Sequence, residues 1–285
     1  MNKAIDMTEG GIFKQILLFS IPLLLGNLFQ QIYNATDTYI IGNYIGDIAL
    51  AAVNSTQPII NFGIAAFMGL SLGGQVVISQ AFGASDNEKI ERAIYSSIVI
   101  GLITTVLLMV FAVTAIDPLL RAMNVEGEVL ELSGLYLKIY FLGSFGVVFY
   151  NLITGVLRAL GDSVRPLYFL IFTCFLNIIL DVFFVTIINL GVFGVAMATA
   201  LTQIACAVLT LVTLFSQYPH YKLSLGKIRY DKAMINRIVD IGIPSAIQNS
   251  IVSFSNVFVQ TNINSFGPLV MAGSGSYSKI DAFAT

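Results

Sequence analysis

The stretch Pro166–Tyr221, PLYFLIFTCFLNIILDVFFVTIINLGVFGVAMATALTQIACAVLTLVTLFSQYPHY, carries one charged residue, Asp181, in 56 residues. A helix needs about 20 apolar residues to cross a hydrocarbon core. This run is too long for one crossing and divides at Asn189-Leu190-Gly191 into two. The rest of the chain reads the same way. Of its 285 residues, 56% are hydrophobic and 11% charged, where a soluble domain has about 25% charged residues. That balance excludes a large soluble enzyme, a disordered tail and a disulfide-stapled secreted module. A net charge of −2 with scattered basic residues leaves no footprint for nucleic acid.

Over the whole chain, seven segments are long and apolar enough to span: Phe13–Ile41, Leu50–Phe82, Ala93–Ile116, Leu132–Leu157, Pro166–Asn189, Val192–Ser216 and Ile235–Ser265. An eighth begins near Ala272. The expected fold is all-α and polytopic in a membrane. The first segment is too long for a cleaved secretory signal and has flanking acids and no small-x-small site. With the N-terminus inside, eleven basic residues fall on the cytoplasmic side and only Arg121 and Lys138 outside. The positive-inside rule therefore predicts a cytoplasmic N-terminus.

Sliding the chain by 222 residues lays the first segment on the seventh: Ile21-Pro22 on Ile243-Pro244, Asn27 on Asn249, Asn34 on Asn256. After a one-residue gap, Asn43 falls on Asn264, Gly46 on Gly267, Ala51 on Ala272 and Ser55 on Ser276. Six spans separate the copies, so they run in the same direction through the membrane, as in transporters built from parallel repeats. The expected organisation is a six-helix N-terminal lobe over residues 1–216, a cytoplasmic linker over 217–236 and the start of a second lobe over 237–285. A duplicated unit of this size predicts about twelve spans, so the sequence reads as an N-terminal fragment whose missing C-terminal half is its partner. The linker carries Pro219, Lys222, Lys227, Arg229 and Lys232, a solvated, headgroup-facing composition.

The few charges inside spans carry most of the information. A carboxylate near the bilayer centre costs at least ~2.5–3.5 kcal/mol and normally faces the bundle interior. Asp37 in the first span and Asp181 in the fifth qualify. At a rise of ~1.5 Å per residue, both lie roughly 8–12 Å below the outer helix ends. Thr199 in the sixth span reaches the same level, and Asn177 shares a helical face with Asp181. Two carboxylates, an amide and a hydroxyl thus form one layer, suited to a shared proton or a Na⁺ ion. The first span adds an inward stripe of Asn27, Gln30, Asn34 and Asp37 with Gln31 and Tyr33 beside it, and the second a lighter echo in Asn54, Gln57 and Asn61. Gln30, Tyr33, Asn34 and Asn61 are the candidate lining of a substrate cavity. Cys174 and Cys206 read as buried small hydrophobes. One histidine, His220, with no CxxC or HExxH, offers no metal centre beyond a possible Na⁺ at the carboxylate layer, and no cofactor motif is present.

Several motifs in order carry a resemblance: Thr8-Glu9-Gly10, Phe19-Ser20-Ile21-Pro22, Gln30-Gln31-Ile32-Tyr33-Asn34 with Asp37, Gly155 through Asp162, Asn177 through Asp181, and Gly191 through Thr199. Together they resemble the multidrug and toxic compound extrusion (MATE) transporters, in particular the prokaryotic DNA-damage-inducible branch. The resemblance implies two six-helix lobes around a central cavity in a bacterial inner membrane. It also implies export of cationic or amphipathic drugs, coupled to inward flow of H⁺ or Na⁺ and needing no cofactor. By the same resemblance, Asp37, Asn177, Asp181 and Thr199 make the cation site of the N-terminal lobe, and one lobe plus a helix would not transport alone. The competing readings are a lipid-linked precursor flippase of the same superfamily, which would need a basic cavity, and a non-transporting scaffold. An intramembrane enzyme is not expected, because no nucleophile–His pair lies within a span.

Overall fold

The computed structural model describes residues 12–218 and 231–281. Lys3, Thr8-Glu9-Gly10, His220 and most of the expected linker lie outside those residues. Every element among the described residues is a helix. Helix α1 (Ile12–Ile40) ends in a π turn over Ile41–Ile45, followed by α2 (Asp47–Gly83) and α3 (Asn87–Thr114). A short α4 (Ile116–Ala122) leads into α5 (Gly127–Leu142) and α6 (Ser144–Ala159). Helix α7 (Val164–Val182) ends in a second π turn over Phe183–Ile187, and α8 (Gly191–Gln217), α9 (Lys232–Asn264) and α10 (Pro268–Asp281) complete the described helices.

Five helices are long and apolar enough to cross a membrane, and α5 with α6 make a sixth if the bent pair is one span. Hydropathy presents Leu132–Leu157 as one crossing, and in the structure it is bent. The two halves meet at Gly143 with a 49° bend. The cause is tertiary: α8 packs so closely that a Cβ on Gly143 would lie 2.9 Å from the Ala200 methyl, and one on Gly146 2.6 Å from the Gln203 backbone. No periodicity announces such a bend. Helix α9 occupies the place of the expected seventh span, but its amides keep it below the apolarity of the others. It also starts earlier than the linker boundary at Asn236, because Asp231 caps it by accepting from the Met234 amide at 3.0 Å. A side-chain acceptor at this position satisfies one of the otherwise orphaned first-turn donors.

Helices α2, α3, α5, α6 and α8 surround the core, where Ile59, Phe67, Ile94, Leu137, Phe141 and Ile153 are fully enclosed. Helix α1 packs chiefly on α7 and leaves Phe13, Leu17, Leu24 and Leu28 exposed, an apolar face suited to lipid. The most extensive pairing is α2 with α9. It rests on small residues: Gly69 abuts the Ala246 backbone, Gly73 abuts the Ile238 carbonyl, and a Cβ on Gly242 would stand 2.9 Å from the Gly69 carbonyl oxygen. Small-xxx-small spacing on both helices lets the backbones approach where lipid tails offer no hydrophobic drive to associate. Pro22 and Pro244 both lie inside their helices. Gly46 and Gly267, matched by the repeat, both turn the chain at positive φ, 116° and 91°. A Cβ would strain either turn.

Candidate cation site and its cavities

The carboxylate layer forms because two helices deliver their acids just before they lose regular winding. Asp37 lies one turn before the first π turn and Asp181 immediately before the second. The π turns touch one another, which brings the ends of α1 and α7 together. Such turns recur at functional sites, because the extra residue re-aims neighbouring side chains. Asn177, one turn below Asp181, then sits between the acids. Its amide, oriented so that every partner is satisfied, donates to Asp37 Oδ1 at 2.9 Å and to Asp181 Oδ2 at 2.9 Å. Asn177 and Asp181 are 0% exposed, Thr199 3% and Asp37 8%. The other oxygen of Asp181, Oδ1, is buried with no hydrogen-bond partner, while the Asp37 and Asp181 side chains come within reach of one another.

Thr199 joins the layer through α1. Tyr33, one turn before Asp37, donates from its hydroxyl to Thr199 Oγ1 at 3.4 Å. Asp37, Asn177 and Asp181 thus meet from α1 and α7, and Thr199 on α8 is linked to them through Tyr33 and the chamber it lines with Asp37. The candidate cavity residues converge as well. Gln30, Tyr33, Asn34 and Asn61 line one chamber of about 230 Å³ together with Asp37 and Thr199. Asn27, the remaining member of the stripe, is exposed and lines neither this chamber nor its neighbour.

Sequence reasoning missed Tyr136, Tyr140, Tyr150, Asn151 and Gln203, which complete the chamber wall. Tyr136 and Tyr140 stack on α5 with ring centroids 6.4 Å apart. Their i,i+4 spacing was the available signal, but tyrosines in an apolar run also read as ordinary packing. A second chamber of about 430 Å³ adjoins the first, shares Asn34, Gln57 and Asn61 with it, and reaches α9 and α10. Among the described residues, no lysine or arginine lines either chamber.

The ends of the bundle are tied separately. At the α6–α7 turn, Asp162 accepts from the Val164 and Arg165 amides, from Arg165 Nη1 at 2.8 Å and from the Tyr218 hydroxyl at 3.0 Å. Burial, and then the neighbouring Asp162 carboxylate, push the Tyr218 phenol well above its usual range. Arg92 pairs with Asp231 at 2.7 Å and Arg237 donates to Gln80 at 3.4 Å, fastening the start of α9 to α3 and α2. Lys138 reaches Asp117 at 2.7 Å. Both cysteines are free and buried, as their apolar surroundings in sequence suggest. Among the described residues no group of His, Cys, Asp and Glu could hold a metal ion by itself.

A multi-pass helical membrane protein with a pair of buried acids, one of which, Asp37, opens on a polar chamber, has the build of a transporter. The MatE family model matches residues 22–183, more than half of the chain, and the chain belongs to the MATE family. It is 30% identical over 287 residues to a probable multidrug resistance protein, YpnP, of Bacillus subtilis, covering 99% of this chain and 63% of that relative. It is 26% identical over 272 residues to the multidrug export protein MepA of Staphylococcus saprophyticus, covering 94% of this chain and 59% of MepA. The inward-facing structure of a multidrug resistance MATE transporter of the MOP superfamily superposes with a TM-score of 0.81 at 29% identity, covering 93% of this chain and 61% of that one. The chain therefore spans about three fifths of the length of the relatives it matches.

Proposed function

We propose that this protein works in cation-coupled export of cationic or amphipathic compounds across a bacterial inner membrane, with Asp37, Asn177, Asp181 and Thr199 as the coupling site. The observation that carries the reading is the single Asn177 amide held between two buried carboxyl groups. Two buried carboxylates with one donor between them are costly when both are ionised. A cation entering the layer removes that cost, and the unpartnered Asp181 Oδ1 is the atom that gains. Either a proton shared by the pair or a Na⁺ ion would discharge the layer. A Na⁺ ion would require the amide to turn its oxygen inward.

Coupling follows if cation and substrate bind different packings of α1, which lends residues to both the layer and the chamber. A ligand shifts such an equilibrium only by its differential affinity for the two states. Alternating access, a cytoplasmic N-terminus, the lobe organisation from the repeat and the lining role of Gln30, Tyr33, Asn34 and Asn61 belong to the same proposal. Against the flippase reading, the described residues give neither chamber the basic lining that a pyrophosphate needs.

The test is efflux of ethidium from proteoliposomes under an imposed ΔpH or ΔpNa, with Asp37→Asn and Asp181→Asn beside the wild type. Gradient-driven efflux that both variants lose while keeping the wild-type elution profile is expected, and the effective gradient names the ion. Efflux surviving both substitutions reduces the acids to interhelical contacts.

A further inference from the structure

Resting on that reading, we propose that Arg158 is an electrostatic plug. Its unpaired positive charge closes a polar track that leads from the Asp37 chamber towards the cytoplasm, and so stops the coupling cation from crossing without substrate exchange.

The track follows from two helix faces. On α2 and α6, the chamber-lining residues nearest the α6–α7 turn are Met68, Tyr150 and Asn151. Beyond them, Ser71 and Gln75 follow Met68 at i+3 and i+7, and Thr154 and Arg158 follow Tyr150 at i+4 and i+8. Those spacings hold one face of a helix. The two faces meet, since a Cβ on Gly155 would stand 3.6 Å from Ser71 Oγ and 3.7 Å from Gln75 Oε1. At ~1.5 Å per residue, the track descends about 12 Å from Tyr150 to Arg158. Apolar side chains would seal such a seam at lower cost than hydroxyls, an amide and a guanidinium.

The charge at the foot of the track has no acid of its own. Arg92, Lys138 and Arg165 pair with Asp231, Asp117 and Asp162. Arg158 makes no ion pair among the described residues, and its Nε is buried without a hydrogen-bond partner. Asp162 stands four residues on, a spacing suited to a helical ion pair. Its carboxylate is committed instead to Arg165, the Tyr218 hydroxyl and the Val164 and Arg165 amides. A basic residue in the last turn of α6 suits the helix dipole, but that does not explain a buried Nε. Long helical side chains lean towards the N-terminal end of their helix, here towards the chamber. The Tyr150 phenol, on the chamber wall, is within electrostatic reach of the guanidinium. Arg158 therefore points up the track instead of snorkelling to the surface.

An unneutralised positive charge in a polar constriction is a barrier to other cations, as a single arginine is in a membrane pore. A carboxylate partner would cancel that field, so the missing partner has a purpose. A layer that binds a cation from one side couples its flow to export only if the cation cannot drain to the other side unaccompanied. The track runs between α2 and α6, within the first copy of the repeat, so the barrier is complete without the second.

The test is cation leak into proteoliposomes that hold no substrate, driven by an inside-negative potassium diffusion potential. Uptake of ²²Na⁺ and of H⁺, the latter read by trapped pyranine, is compared in the wild type, Arg158→Met and Arg158→Lys. Arg158→Met should admit Na⁺ or H⁺ about tenfold faster or more, because a unit charge in a low-dielectric lobe repels a passing cation by well over the thermal energy. Arg158→Lys restores the charge and should be as tight as the wild type, with trapped carboxyfluorescein retained throughout. If Arg158→Met also loses the dye, Arg158→Gln decides by the same criterion. A neutral variant as tight as the wild type, or a lysine variant that leaks like the neutral one, overturns the plug. Adding Asp37→Asn to Arg158→Met separates the two proposals. A leak that falls supports both, whereas a leak that is unchanged keeps the plug and counts against the carboxylate layer as the coupling site.

Discussion

Replacing Gly69 by alanine tests whether the α2–α9 seam is held by backbone approach. A Cβ at Gly69 runs into the Ala246 backbone, and the reciprocal Cβ at Gly242 would stand 2.9 Å from the Gly69 carbonyl oxygen and the Leu70 Cα. Carbon atoms pack best at about 3.5–4.0 Å, so even the milder clash demands that the helices part by roughly 0.6 Å or more. A gap of about 0.5–1 Å forfeits a quarter to a half of each contact's attraction along the seam. Backbone atoms cannot swing aside as a side-chain tip can, so Gly69→Ala should cost about 1–3 kcal/mol, the usual range for overpacking. Gly273→Ala is the control, because nothing lies within 4 Å of a Cβ there. In a helix it should be neutral or stabilise by up to about 1 kcal/mol. The assay is reversible unfolding in mixed micelles, followed by circular dichroism. Equal stability of Gly69→Ala and Gly273→Ala would refute the seam as drawn.

Three further outcomes follow from particular contacts. The Asp231 carboxyl is held below the usual carboxylate range, first by the Met234 amide and then by Arg92. Its stabilising effect is therefore present above the ordinary carboxylate pKa and lost as pH falls through the lower folded value. Melting curves should show Asp231→Ala less stable than wild type at neutral pH and level with it in strong acid. Asp162→Ala strips the half-buried Arg165 pair and the hydrogen bonds to the Val164 and Arg165 amides, and should destabilise by about 1–3 kcal/mol in the same unfolding assay. Cys174 and Cys206 should resist maleimide until the protein is unfolded, as mass spectrometry would read directly.

Much of the fold was legible because hydropathy in a bilayer is a strong constraint. The helices of Phe13–Ile41, Leu50–Phe82, Pro166–Asn189 and Val192–Ser216 stand within a few residues of their expected ends, apart from the π turns, while that of Ala93–Ile116 begins six residues earlier, at Asn87. The bend at Gly143 and short helix α4 were not legible, since the bend depends on the approach of α8 and α4 is too brief to show a period. At the site, the acids were conspicuous because charge inside a span has few innocent explanations. Depth placed Asn177 and Thr199 with them, yet depth cannot say which helices are neighbours; the contact between α1 and α7 supplied that. The tyrosines of α5 and the amides of α9 were hidden for opposite reasons. Tyr136 and Tyr140 resemble apolar packing within their run. Asn256 and Gln260 merely lower the apolarity of α9, and their place on a chamber wall emerges only because α2 lies along that helix.

The central claim is that cation and substrate compete for packings of one carboxylate layer, so binding of either must displace the other. The direct measurement is proton release, or displacement of ²²Na⁺, when ethidium is added to the purified protein in weakly buffered detergent. Release is expected in the wild type and none in Asp37→Asn/Asp181→Asn, with ethidium binding retained but no longer dependent on pH or Na⁺. Ethidium binding in the wild type with neither proton nor Na⁺ displaced, or equal release from the double variant, would contradict it.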